Sequence, residues 1–482
     1  MQFMRYVIVW LQRLASGQDI PIKEQLRVPL PAEQRESFKV LPEYFLEDIV
    51  DNFKFILQHV PQIITPQQCD EIMQICVTFL TNSEYIKNPS IKSGLVTILF
   101  MGVQPFGHHP RGILGDILLG SAFANKHLLH ALMKYYIEAE NTGSHTQFYD
   151  KFNIRFEIFQ VIKCIWTNTL YRENLAKEAR VNTNFFIQFV NMIVNDVTFV
   201  LDESLSSFAK IHELSYEIES PAFTALSEEQ RKEKQELLDD AKGKAKSYMG
   251  LTRESMETLI LFTDALPDAF TMPEIVQRLA DMLGHNLEIM VGPKSSNLIV
   301  KNPQEYKFSP KDLLADIVTV FTNLSSKETF VRAIANDTRS YKPANFTRAV
   351  EILTRSGTYK SVEDIRKWTA LAQRVTAARL ADEEEEADLG EIPEEFEDPL
   401  MAILMEDPVI LPTSKTVMDR STIRQHLLSD PTDPFNRAPL KIEDVITDTE
   451  TKRKIDEWKA GRKAERAKEK EAAAAAMDTS QG

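Results

Sequence analysis

The sequence predicts a mainly α protein in which an irregular helical-repeat solenoid is followed by a small α+β domain. Three observations lead to this fold class. Apolar residues recur at helical spacing from about residue 40 to residue 380. Glycine is scarce, at 16 of 482 residues, and strong helix formers are plentiful. At residue 381 the composition becomes acidic, and beyond that segment the helical period stops.

Start signals and apolar spacing place the individual helices. Pro42 opens one helix, and Thr65 with Pro66 opens the next. The longest predicted helix covers about residues 182–218 and is apolar on most faces up to Val200, which indicates burial on several sides. Further helices are predicted near 230–264, 272–290, 310–324, 344–356 and 361–380. So much helix exceeds one bundle core, and this favours an armadillo/HEAT-like solenoid without a strict period.

Charge and cysteine content exclude several function classes. Lys and Arg number 56 against 71 Asp and Glu, and a net charge of −15 disfavours nucleic acid and anionic membranes as partners. The apolar run Tyr6–Leu11 is too short to span a bilayer. Three cysteines, Cys69, Cys76 and Cys164, are too few for a disulfide-stapled domain, and their helical surroundings predict buried thiols. No cofactor is expected.

Composition divides the chain into four segments. Residues 1–380 form the predicted helical core. Residues 381–397, rich in Glu and Asp, are expected to be a flexible acidic linker that leaves the following module independently mobile. Residues 398–460 form the small domain, and residues 461–482 are expected to be a charged, Ala-rich helical extension that ends in a disordered tail.

The small domain combines a hairpin, a helix and a rigid loop. Two β-prone runs, 409–411 and 416–418, predict a hairpin, and residues 421–428 predict a helix. A final helix from about Thr449 should pack back through Ile455 and Trp458. This order occurs in cross-braced zinc domains of the RING type, but no cysteine follows Cys164, so we expect a polar network in place of zinc. Its candidate members are Asp407, Asp419, Thr422, His426, Asp433 and Asn436.

The segment DPLMAILMEDPVILPTSKTVMDRSTIRQHLLSDPTDPFNRAPL, residues 398–440, closely resembles the U-box. Its DPFNR loop looks like that of the ubiquitin conjugation factors, which are ubiquitin chain-elongation ligases. Upstream, FYDKFNIRFEI (148–158), FVNMIVNDVTFVLDESL (189–205), GPKSSNL (292–298) and FVRAIANDTRSY (330–341) look like the helical core of that family. Members usually carry more core before the point where this chain begins, so we expect the core to be N-terminally incomplete.

The resemblance implies a U-box ubiquitin ligase that recruits a ubiquitin-charged conjugating enzyme. It acts by positioning, without a covalent intermediate, in chain elongation, protein quality control and proteasomal degradation. The implied partners are the conjugating enzyme, ubiquitin, ubiquitinated substrates and a hexameric AAA ATPase, and the implied location is cytoplasm and nucleus. Conjugating-enzyme contacts carry over by position to Leu400, Met405, Ile410, Pro434, Phe435 and Arg437.

Alternatives stay open at this point. Arg437 is expected to reach the bound ubiquitin, but it could instead pair with Asp433, and Phe435, Met405 and Ile410 could each be core residues. His426 is expected to be a structural histidine rather than a base. The whole chain could be a non-catalytic helical scaffold or adaptor whose U-box-like module only binds partners. A third hypothesis is a covalent ligase that uses one of the cysteines, although none has an adjacent histidine.

Overall fold

The structure is a computed structural model that describes residues 2–18, 26–141, 147–337, 339–355, 361–390, 392–427 and 430–479. The chain divides into two compact units. The first comprises Met1–Phe270, Asn286–Leu324 and Glu351–Lys360, and the second comprises Thr271–His285, Ser325–Val350 and Ser361–Gly482.

Helices dominate both units. The first twelve are α1 Gln2–Ser16, α2 Glu36–Lys39, α3 Tyr44–His59, α4 Pro66–Thr81, α5 Pro89–Val103, α6 Gly115–Gly120, α7 Ala122–Glu138, α8 Gln147–Ile165, α9 Thr169–Val181, α10 Thr183–Glu219, α11 Glu228–Ala265 and α12 Pro267–Phe270. They are followed by α13 Pro273–Val291, α14 Pro310–Leu324, α15 Glu328–Ala335, α16 Pro343–Arg355 and α17 Val362–Leu389. The C-terminal module contains β1 Pro408–Ile410, β2 Val417–Asp419, α18 Arg420–Leu427, β3 Ile446–Thr447 and α19 Thr449–Thr479.

The first unit stacks its helices in two rows. One row runs α3, α5, α8, α11 and α14, and the other runs α1, α4, α7 and α10, with each helix packed on the next in its row. The rows pack on each other through α4 with α5, α7 with α8, and α10 with α11. Contacts between successive neighbours are the arrangement expected of a helical repeat array. The prediction of a mainly α chain with a small C-terminal α+β module is confirmed.

Helix α10 is the long apolar helix that the sequence predicted. Its length and composition would suffice to cross a membrane, but 61% of its most apolar window is buried inside the protein. It packs along α11, and the charged first half of α11 is helical as well.

A buried ionic cluster joins α7, α8 and α10. The Arg155 guanidinium donates to Asp196 Oδ1 at 2.7 Å and to Glu140 Oε2 at 2.8 Å. The Tyr136 hydroxyl donates to Asp196 Oδ2 at 2.5 Å. Burial raises the pKa of Asp196, and the Arg155 guanidinium and the Tyr136 hydroxyl offset part of that effect.

The segment predicted as a flexible acidic linker differs from that expectation. Helix α17 continues through its first part to Leu389, because Ala, Glu and Leu are strong helix formers. Gly390 then takes a left-handed conformation with φ +70°. Downstream, Phe396 is buried against Met405 and Ile455, so the rest of the segment belongs to the packing of the module.

Candidate functional site

The C-terminal module is a three-stranded antiparallel sheet in the order β2-β1-β3 with two small apolar clusters. The first cluster comprises Val409, Leu411, Met418, Ile423 and Leu440. The second comprises Phe396, Met405 and Ile455, with Ile392, Leu404, Val417 and Trp458 packed against it. The predicted hairpin, the helix start at Thr449 and the inward packing of Ile455 and Trp458 are confirmed. Such small clusters leave the long loops to be held by polar contacts.

A buried aspartate organises the first loop, residues 398–407. Asp398 is 1% exposed, and its Oδ1 accepts the backbone N–H groups of Leu400 at 2.9 Å and Met401 at 3.0 Å. Its Oδ2 accepts the N–H of Asp419 at 2.8 Å, which ties the loop to the end of β2. Asp398 was not predicted from the sequence. The Asp-Pro pair at 398–399, directly before an apolar loop, is the signal that could have identified it.

Asp419 links the other end of the first loop to α18. Its Oδ2 accepts the N–H groups of Glu406 at 2.7 Å and Asp407 at 2.8 Å. Its Oδ1 accepts the N–H of Ser421 at 2.8 Å, which caps the start of the helix. One carboxylate therefore fixes the loop and the helix start together.

Asp433 performs the same task in the second loop, residues 430–440. It is fully buried, and its Oδ2 accepts the Thr413 hydroxyl at 2.6 Å and the Ser414 N–H at 3.2 Å, both from the hairpin turn. Its Oδ1 accepts the Phe435 N–H at 3.0 Å. Burial raises the pKa of Asp433, but these hydrogen bonds outweigh burial and hold the pKa below its usual range. The ionised carboxylate is therefore the form that the fold uses.

The remaining predicted network members contribute in different ways. Asp407 lies at the surface and accepts from Arg420 Nε at 2.7 Å. His426 Nε2 lies 3.0 Å from the Thr432 carbonyl oxygen, which agrees with a structural histidine. Asn436 is exposed and accepts only the nearby Ala438 N–H, so it is not part of a buried network. Thr422 is half-buried, and among the described residues its hydroxyl has no hydrogen-bond partner.

Both loops expose apolar side chains. In the first loop Leu400 is 46%, Met401 58% and Ile403 52% exposed, and in the second loop Phe435 is 42% exposed. Pro434 beside it is half-buried. Leu400 and Phe435 are therefore surface residues, and the alternative of a core phenylalanine does not hold. Met401 and Ile403 were missed, because the apolar loop shows neither helical nor strand periodicity.

Two predicted docking residues lie elsewhere. Met405 is 1% exposed and belongs to the cluster of Phe396 and Ile455, so a partner cannot reach it, and assigning it to the docking surface was wrong. Ile410 is half-buried in the central strand, paired with Val417 and Ile446. Its place in the sheet gives it a structural role and leaves only part of its side chain accessible.

Arg437 projects from a strained turn. Its φ is +60°, and its N–H donates to the Asp433 carbonyl at 2.8 Å. The side chain is exposed, and within the described part of the chain no carboxylate pairs with the guanidinium. Asp433 is occupied by Thr413, Ser414 and Phe435 instead, so the predicted alternative of an Arg437–Asp433 salt bridge is not formed. The five donors of Arg437 are available to a partner.

The three cysteines are all at least half-buried. Cys76 is fully buried and Cys69 nearly so, and Cys164 is half-buried. Burial raises the pKa of all three thiols, to about 11 for Cys69. A thiol with a raised pKa is a poor nucleophile at neutral pH, which argues against a covalent ubiquitin intermediate on this chain.

Comparison with known proteins assigns both regions. Residues 1–376 match the ubiquitin elongating factor core, and residues 392–464 match the U-box domain. The ubiquitin conjugation factor E4 of Schizosaccharomyces pombe is 42% identical over 456 residues, covering 94% of this chain and 45% of that protein.

Two further relatives of the same kind match most of this chain. The E4 ubiquitin-protein ligase UFD2 of Saccharomyces cerevisiae is 42% identical over 440 residues, covering 90% of this chain and 46% of that protein. The probable ubiquitin conjugation factor E4 of Arabidopsis thaliana is 34% identical over 465 residues, covering 95% and 43%. The chain thus spans about half the length of these curated relatives. It belongs to the ubiquitin elongating factor family, with the family's helical core followed by a U-box.

Proposed function

We propose that this protein is a U-box ubiquitin ligase that binds a ubiquitin-charged conjugating enzyme and promotes ubiquitin transfer to substrates and growing chains. The observation that carries the proposal is the second loop. There Asp433 fixes the backbone while Phe435 and Arg437 face solvent. A preformed loop with an apolar anchor loses little entropy when a partner binds.

The apolar residues of both loops, Leu400, Met401, Ile403, Pro434 and Phe435, form the proposed docking surface for the conjugating enzyme. Exposed apolar groups of this kind mark protein interaction sites when they are clustered. Neither loop carries a catalytic nucleophile, so the thioester cysteine belongs to the bound enzyme. The U-box then acts by orienting the charged enzyme toward the incoming lysine.

Arg437 is the proposed catalytic residue, because it orients the ubiquitin-charged conjugating enzyme. Its guanidinium fork can hydrogen-bond the bound ubiquitin and the conjugating enzyme at once, which restricts the flexible conjugate to a reactive pose. Such a contact forms mainly in the transition state, so its loss should lower the rate more than the affinity.

Single-turnover discharge of a ubiquitin-charged conjugating enzyme onto free lysine tests this proposal, with a zinc chelator present throughout. Phe435→Ala should weaken binding of the conjugating enzyme, and Arg437→Ala should slow discharge at saturating protein with little change in Kd. Lys415→Ala is the matched control, because Lys415 is also an exposed cation with a left-handed backbone, φ +62°, and lies outside the docking surface.

A folded wild-type protein that discharges no conjugating enzyme of a broad panel would contradict the proposal. It would favour the alternative, a non-catalytic scaffold or adaptor whose U-box only binds partners. Equal loss of rate in Lys415→Ala and Arg437→Ala would remove the specific role of Arg437.

The family resemblance supports finer proposals. We assign ubiquitinated proteins as substrates, a hexameric AAA ATPase as a partner of the helical core, and action in cytoplasm and nucleus in quality control and proteasomal degradation. We also propose that residues 1–380 form an armadillo/HEAT-like helical array, residues 398–460 the U-box and residues 461–482 a C-terminal extension. Affinity purification from cell extracts and imaging of a fluorescent fusion test the partner and the location.

A further inference from the structure

The U-box is attached at two places to helices of its own compact unit. We propose that Glu274 and Arg424 are positioning residues that, together with the junction of α17 and α19, hold the U-box in one orientation. A single orientation fixes the direction in which the charged conjugating enzyme is presented to an acceptor bound to the same protein. The inference rests on the proposed ligase function and adds to it a control of direction.

The first attachment is the end of α17. Arg462 of α19 donates from Nε to the Leu389 carbonyl at 2.8 Å and so satisfies one of the unpaired carbonyls at that helix end. Helices α17 and α19 pack on each other. Gly390 at the end of α17 is left-handed, and Phe396 further along the chain is packed against Met405 and Ile455. Because the end of α17 is capped and packed in this way, α17 connects rigidly to the U-box.

The second attachment is an ion pair far away in sequence. Arg424 lies on α18 of the U-box, and its Nη1 is 2.6 Å from Glu274 Oε1. The Glu274 side chain is 11% exposed and that of Arg424 45% exposed, so the pair is only partly screened by water. Glu274 lies in the first turn of α13, where the helix dipole favours a carboxylate. The Glu274 carboxylate is therefore stabilised by its own helix, independently of the pair with Arg424.

The two attachments are connected to each other through the helices between them. Gln277 of α13 donates to the Ala333 carbonyl of α15 at 3.1 Å. Arg374 of α17 donates to the Ser325 carbonyl at 2.5 Å and to Glu328 of α15 at 2.7 Å. These contacts connect α13 to α15, α15 to α17 and α17 to α19. The ion pair then connects α13 to α18 of the same U-box. The U-box cannot swing about the α17 joint unless the Arg424–Glu274 pair separates.

A fixed orientation matters for only one kind of acceptor. Free lysine diffuses to the thioester from any direction, so its rate depends on the U-box and the conjugating enzyme alone. An acceptor held by the same protein gains from a fixed geometry, because orientation raises its effective concentration. Loss of the ion pair should therefore slow transfer to a protein acceptor while discharge onto free lysine continues.

The test compares these two acceptors in the full-length chain. The protein acceptor is a reporter with one fused ubiquitin, and the free acceptor is lysine. We expect Glu274→Arg to lower chain growth on the reporter by about three- to fivefold, the population shift that one partly exposed ion pair can produce. Discharge onto free lysine should stay within about twofold. The charge swap Glu274→Arg with Arg424→Glu should restore chain growth.

Glu457→Arg is the matched control, because Glu457 pairs with Arg453 within α19 and does not connect the U-box to another helix. Thermal unfolding checks that each variant folds, and Glu274→Gln replaces Glu274→Arg if that variant does not. Unchanged or faster chain growth in the Glu274 variant, or failure of the charge swap to restore it, would overturn the inference. Wild-type discharge onto lysine without reporter modification would also overturn it. Absence of wild-type discharge onto lysine would instead overturn the proposed function itself, and this inference with it.

Discussion

A buried aspartate has different partners in the two regions of this protein. In the helical core Asp196 is bound by side chains, the Arg155 guanidinium and the Tyr136 hydroxyl. In the U-box Asp433 is bound by a hydroxyl and by backbone N–H groups of two loops. Helices satisfy their own backbone, so a core carboxylate needs another charged side chain. Loops leave N–H groups unpaired, and an aspartate can collect them.

The pKa values of the two carboxylates are also shifted in opposite directions. Burial raises the pKa of Asp196 despite Arg155, whereas hydrogen bonds outweigh burial and lower the pKa of Asp433. The helical core uses its ionic cluster to join three helices that already pack through apolar side chains. The U-box depends on the ionised Asp433 for the shape of its second loop, and hence for its docking surface.

Removing the core carboxylate should have the largest effect. Asp196→Ala removes one of the two carboxylates that balance the buried Arg155 guanidinium, and we expect a loss of about 3–5 kcal/mol in the free energy of unfolding. Urea unfolding followed by hydrogen exchange in α10 measures it. Glu236→Ala on the exposed face of α11 is the control and should change the free energy of unfolding by less than about 0.5 kcal/mol. A loss below about 1 kcal/mol at Asp196 would show that Glu140 alone balances Arg155.

Two neighbouring apolar residues of the first loop should separate stability from binding. Met405→Ala opens a cavity in the cluster of Phe396 and Ile455 and should cost about 2–5 kcal/mol. Leu400→Ala should cost less than about 0.5 kcal/mol and weaken binding of the conjugating enzyme. Thermal unfolding and calorimetric titration measure the pair. Equal effects on stability would mean that Leu400 also supports the fold.

The loop carboxylate should have an intermediate effect. Asp433→Ala removes the acceptor of three hydrogen bonds, and we expect a loss of about 1–3 kcal/mol that is confined to the U-box. Hydrogen exchange over residues 398–440 reports it directly. Asp407→Ala breaks one surface ion pair and should cost about 0–1 kcal/mol. If both variants lost the same amount, the buried position of Asp433 would have no special weight.

Acid should produce the smallest and most selective effect. The folded-state pKa of Asp433 lies below the unfolded value, so its stabilisation is complete above about pH 4 and is lost as pH falls through the folded pKa. The raised pKa of Asp196 gives the opposite sign, because the folded core binds that proton more readily. The U-box should therefore lose hydrogen-exchange protection before α10 in an acid titration. Asp433→Asn should flatten the U-box response, and simultaneous loss in both regions would contradict the expectation.

Sequence periodicity was sufficient where a helix carries a continuous apolar face. The predicted helix at 182–218 is α10 at Thr183–Glu219, and the helix at 310–324 was placed at its observed bounds. The polar network predicted in place of zinc included Asp419, whose carboxylate accepts the N–H groups of Glu406, Asp407 and Ser421.

The errors arose where the deciding contacts are distant in sequence. In the sequence Met405 cannot be distinguished from its exposed apolar neighbours. In the structure it is buried against Phe396 and Ile455. The acidic segment after residue 380 looked flexible because charge suggests repulsion, yet Arg462, far along the chain, caps Leu389. For Asp398 only the contact with the N–H of Asp419 is distant, and the Asp-Pro pair at 398–399 was a local signal that was not used.

The left-handed backbone of Arg437 has a further consequence for how this loop can be altered. A side chain at φ +60° costs about 1 kcal/mol relative to glycine, so Arg437→Gly should make the U-box slightly more stable while removing the guanidinium. The protein accepts a less stable loop in exchange for a cation at this exposed point. Selection for thermal stability alone would therefore remove the residue on which the proposed activity depends.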